Sequence, residues 1–69
     1  MFFFNAGDKS GEGDAHYNMS LAYEGDGDLE HAVEHMQQAC IIHTGCFGAD
    51  HAYVVDAQEE VLRLQQALQ

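Results

Sequence analysis

The residues best suited to chemistry form the run His31-Ala32-Val33-Glu34-His35. Two histidines four residues apart share one face of a helix. Both imidazoles can then reach one metal ion, with Glu34 placed as a base. That would serve metal-dependent hydrolysis. A catalytic zinc site also takes a third protein ligand and a cleft that excludes water, and a chain this short has little room for either. His31 and His35 flank Ala32 and Met36, which belong to a packed face, so the ordinary reading is a pair of boundary histidines. They remain weak metal candidates, and no cofactor is expected.

Two other sets are weaker still. Cys40, His43 and Cys46 lie three residues apart, but a fourth zinc ligand is missing unless His51 folds back. The stretch from Asp8 to Met19 half-fits a calcium loop, with Asp8, Ser10, Glu12, Gly13 and Asp14. Its closing position needs a glutamate and holds Met19. No glycine-rich phosphate loop and no nucleophile elbow is present. These readings point away from an enzyme.

Composition narrows the partners. Twelve acidic residues stand against Lys9 and Arg63, a formal charge of −10. Phosphate binding needs basic side chains, so nucleic acid is not expected, and neither is an anionic membrane surface. No segment approaches a membrane span. The natural complement is a basic or amphipathic segment of another protein. Two cysteines make no disulfide framework and fit a reducing, intracellular compartment. At 69 residues the chain is one small domain that buries a poor fraction of its surface, so a larger assembly or oligomer is expected to support it. Phe2–Phe4 is too short for a signal-peptide core. Those three rings either tuck against the chain's own helices or anchor it in a neighbour, each worth about 2 kcal/mol when buried.

The elements that would carry these residues are all helical. Residues 1–13 read as a flexible N-terminal arm, rich in glycine and polar residues. Asp14 would cap a first helix from about Ala15 to Glu24. Gly25-Asp26-Gly27-Asp28 is a turn, with Asp28 as the next cap. Leu29, Ala32, Val33, Met36, Ala39 and Cys40 then recur in steps of three and four, one face of a second helix that stops near Gly45. Residues 46–50 form a loop, with Asp50 as a cap. Val54, Ala57, Val61, Leu64 and Leu68 mark a third helix from about His51 to Leu68. Short connections predict antiparallel neighbours.

Residues 15 to 43 resemble a tetratricopeptide repeat, a helix–turn–helix unit of about 34 residues. Met19 stands at the leucine-like place, Ser20 at the small glycine-like place and Tyr23 at the aromatic one. Gly27-Asp28 forms the usual turn. Leu29, Ala32, Met36 and Ala39 follow at their places. His16 and Thr44 depart from the pattern, standing where a large apolar residue and a proline are commoner. Ser20 and Ala32 would let two helix axes approach to the short end of the roughly 8–10 Å range, with Met19, Tyr23, Leu29 and Met36 packed around the contact. "GADHAYVVDAQ" looks like the linking segment of the longer, kinesin light chain type of repeat. Laying Val61 on Met19 gives an offset of 42 residues, similar to that extended period.

The resemblance implies an all-α fold: a tetratricopeptide-like hairpin over residues 14–45, and a loop with a capping helix over 46–69. It also implies a binding face on the first and third helices, made by Asp14, Tyr17, Leu21 and Glu24 with Glu59, Arg63 and Gln66. With so few cations this face would not clamp a carboxylate tail. It would suit a basic or amphipathic segment. The expected function is a non-enzymatic scaffold or adaptor piece. Two alternatives stand beside it: a small structural subunit held in a complex through its phenylalanine-rich N-terminus, and a metal-binding protein or hydrolase using His31, Glu34 and His35.

Overall fold

A computed structural model describes the backbone of residues 6–69 and the side chains of residues 9–69. Three helices follow in order: α1 (Ala6–Gly25), α2 (Leu29–Phe47) and α3 (Ala52–Leu68). No strand occurs among the described residues. The fold is all-α, a hairpin of α1 and α2 with α3 added. The central helix is α2, with both others packed on it. Each connection reverses the chain, so α1 and α3 run parallel. Their side-chain contacts keep one register: Tyr17 meets Asp56 and Glu24 meets Arg63, each pair 39 residues apart.

The core follows the apolar spacing of α2 and α3. Ala32, Met36 and Ala39 from α2 have no exposed surface, nor do Val54, Ala57 and Leu64 from α3. Tyr17, Tyr23, Leu29, Cys40 and Val61 are half-buried around this cluster. Burying Met36 or Leu64 stabilises the fold by about 2 kcal/mol each. From α1, Ser20 is fully buried and its hydroxyl donates to the Ala32 carbonyl at 2.6 Å. Small side chains on both helices allow that approach.

The turn between α1 and α2 is built as its residues require. Gly27 takes a left-handed backbone, φ +83°, which costs glycine little. Asp28 caps α2, its carboxylate accepting from the His31 backbone N–H at 3.2 Å.

Several boundaries differ from expectation. Helix α1 begins at Ala6, so residues 6–13 are helical and not a flexible arm; residues 1–5, with the Phe2–Phe4 anchor, lie outside the described residues. Asp14 is therefore inside the helix and caps nothing. The reason lies at Gly13, buried where α1 crosses His43. A Cβ there would stand 2.6 Å from the His43 ring. Packing against that ring outweighs the low helix propensity of glycine. A helical backbone through Asp8–Met19 also excludes the calcium loop.

Met19 is 39% exposed and does not fill the core. The inward stripe of α1 runs through Gly13, His16, Tyr17, Ser20, Tyr23 and Glu24, and Met19 falls beside it. Gly45 does not end α2. The helix continues to Phe47 and stops at Gly48, whose φ of +93° suits glycine and whose N–H donates to the Thr44 carbonyl at 2.9 Å. At α3 the cap is His51 and not Asp50: His51 Nδ1 accepts from the Tyr53 backbone N–H at 3.1 Å.

Candidate functional site

Helices α1 and α3, both packed on α2, reach each other through long side chains, and the expected binding residues divide there into tied and open ones. Glu24 and Arg63 are tied. Nη1 donates to Oε2 at 2.6 Å and Nη2 to Oε1 at 2.9 Å, while Arg63 Nε also donates to Glu60 at 3.1 Å. The guanidinium holds the Glu24 carboxyl below the usual carboxylate range, and the two carboxylates push Arg63 further up. Tyr17 is tied too, its hydroxyl donating to Asp56 Oδ2 at 2.7 Å. That bond, then burial, pushes the phenol up to about 12. Leu21, Glu59 and Gln66 are exposed, and Leu21 at 43% is an apolar side chain in water.

Beyond the Tyr17–Asp56 tie the two helices border a cavity of about 410 Å³. It is lined by Asp14, Tyr17 and Asn18 of α1, His43 of α2, and Tyr53 and Asp56 of α3. Asp14 Oδ1 lies 3.1 Å from His43 Nε2. Only 4% of the His43 side chain is exposed, against 62% for Asp14. With the proton on Nε2 the contact is a hydrogen bond, and Nδ1 is left without a partner among the described residues. Behind Tyr53 stands an aromatic cluster. Phe47 meets Tyr53 edge-on at 5.3 Å and stacks on His51 at 4.5 Å.

Of this cavity, Asp14 and Tyr17 were expected; Asn18, His43, Tyr53 and Asp56 were not. A signal existed for two of them. The α3 stripe of Glu59, Arg63 and Gln66, carried back in steps of three, reaches Asp56 and Tyr53. Nothing in the spacing shows that His43 turns towards α1.

The histidines of the His31–His35 run are engaged separately. His31 Nδ1 lies 2.7 Å from Asp28 Oδ2, and hydrogen bonding to Asp28 raises its pKa. His35 Nδ1 lies 2.9 Å from His16 Nδ1, on the other helix. Tyr23 stacks near-parallel to both His31 and His35, at 5.0 and 5.3 Å. Both imidazoles thus rest on Tyr23 near the turn end of the hairpin. Cys40 and His43 diverge as well: Cys40 lines a groove towards α3, while His43 packs on Gly13 of α1. Both cysteines are free thiols. Among the described residues no three metal-ligating side chains gather.

A second groove, of about 610 Å³, runs between α2 and α3. Its lining residues Gln37, Gln38, Cys40, Ile41, Gln58, Val61 and Leu62 carry no charge. No helix among the described residues is long and apolar enough to cross a membrane. Compared with known proteins, the chain matches no family model, no curated protein and no solved structure.

Proposed function

We propose that this chain is a non-enzymatic protein-interaction module of tetratricopeptide-like design, receiving a basic or amphipathic segment along the side where α1 and α3 meet. The observation that carries the reading is the cavity beside the Tyr17–Asp56 tie, which sets two carboxylates and two phenol rings in one hollow. On the same two helices Leu21 and Glu59 are exposed, one apolar and one acidic. Lys9 is paired with Glu12 and Arg63 with Glu24, so both cations of the chain are already committed. A partner brings the positive charge. The separate engagements of His31 and His35 favour this over the metal-hydrolase alternative. Two free thiols suit a reducing compartment.

The test is titration with a nonapeptide rich in lysine and arginine, and with its acid-substituted counterpart, at low and high salt. Binding of the basic peptide alone, weakened by salt, is expected. Equal binding of both peptides, or of neither, removes the reading.

A second reading, a small subunit held in a larger complex, draws on the uncharged α2–α3 groove, where Ile41 and Leu62 are 64% and 58% exposed. Sedimentation as a lone monomer at high concentration would count against it.

A further inference from the structure

We infer that the cavity between Asp14, Tyr17, Tyr53 and Asp56 is the seat for one arginine side chain of the partner segment. This rests on the reading of the chain as an interaction module and names the group that anchors the complex.

The acceptors are preset. Asp14 Oδ1 is held by His43, and Asp56 Oδ2 is held by the Tyr17 hydroxyl. Each internal bond fixes a carboxylate and leaves its other oxygen without a donor among the described residues. Side chains already fixed lose little rotamer entropy when a ligand arrives. His43, 3% exposed overall, backs the cavity and steadies Asp14 through Nε2.

The rings select among cations. Tyr17 and Tyr53 line the cavity beside the carboxylates, and the cavity volume lies within the roughly 300–1,000 Å³ range of small-ligand pockets. A guanidinium offers five N–H donors in a plane and stacks on phenol rings. A lysine ammonium is a strongly hydrated point charge that does neither as well. A metal ion suits the site less, because no three ligating side chains converge among the described residues.

The test uses the whole chain and three blocked pentapeptides, Gly-Ala-Xaa-Ala-Gly with arginine, lysine or citrulline at the centre, followed by amide and side-chain NMR shifts. The arginine peptide is expected to shift Tyr17, Asn18, Tyr53 and Asp56. The lysine peptide should bind several-fold more weakly. Citrulline, of the same shape without the charge, should not bind measurably. Asp56→Asn keeps an acceptor for Tyr17 and so keeps the tie; it should weaken arginine binding about tenfold. Tyr53→Ala should weaken it several-fold, with the amide spectrum of the free protein reporting whether the fold survives. Arginine and lysine peptides binding alike, or Asp56→Asn and Asp14→Asn both binding as the unaltered chain, overturns the inference. If the basic nonapeptide still binds in that case, the interaction reading stands and only the seat is wrong. If no basic peptide binds, both fall.

Discussion

Ser20 and Ala32 touch across the hairpin, the serine hydroxyl donating to the alanine carbonyl at 2.6 Å with both side chains fully buried. A methyl group is all that stands between the axes at Ala32. Ala32→Leu therefore has no space to enter and should destabilise the fold by about 2 kcal/mol or more through overpacking. Urea unfolding measures it; an unchanged midpoint would mean the helices do not meet there.

Two glycines of α1 should respond oppositely to alanine. At Gly11 a Cβ meets nothing within 4 Å, so Gly11→Ala should stabilise by about 0.5–1 kcal/mol through helix propensity alone. At Gly13 the same Cβ falls 2.6 Å from the His43 ring. Gly13→Ala must displace that buried ring and should cost about 1 kcal/mol or more despite the propensity gain. Thermal melts of the two variants decide it, and equal stabilisation by both would contradict the crossing.

The Glu24–Arg63 pair is half-open to water, with 30% and 48% of the side chains exposed, so its worth is modest. A double-mutant cycle with Glu24→Gln and Arg63→Gln should give a coupling of about 0.5–1 kcal/mol at low salt. The coupling should fade in concentrated salt. It should also fade as pH falls through the lowered Glu24 value, because a depressed carboxyl stabilises the fold only while ionised. A coupling that ignores both salt and pH would show that the two side chains do not meet as ions.

Asp28 and His31 give a pH window. Asp28 is lowered by the His31 backbone N–H and then by the ring, so its contribution is present above the ordinary carboxylate range and lost in acid. His31 is raised by Asp28, so its contribution is full below the ordinary histidine value and lost as pH rises through the raised one. The difference in Tm between the unaltered chain and His31→Gln should be largest between about pH 4 and 6.5 and shrink on either side. A difference that stays level across pH would remove the contact.

Much of the fold could be read from residue order because it follows helical period. The buried stripe of α2 and the Asp28 cap stand where spacing and cap chemistry place them. Helix α1 was harder. Its glycines and polar residues look like an arm when taken alone, and only His43, thirty residues further on, explains why Gly13 must be small. The phase of Met19 went astray for a related reason: Tyr17 and Glu24 turn inward to meet α3, which rotates the helix relative to its apolar residues. The site was partly legible. The repeat resemblance grouped Tyr17, Glu24 and Arg63 in one face across two helices. That they join as pairs depends on the register between α1 and α3, a quantity no local pattern carries.

The two ties between α1 and α3 share one offset and lie seven residues apart along each helix, roughly 10 Å. A single fastening between two parallel rods leaves a pivot about which they can scissor; a second, one span away, turns the pivot into a braced frame. Both rods also rest on α2, so cutting the Glu24 end would slacken the frame without freeing it, and the hollow beside Tyr17 would feel the change although none of its own walls had been altered.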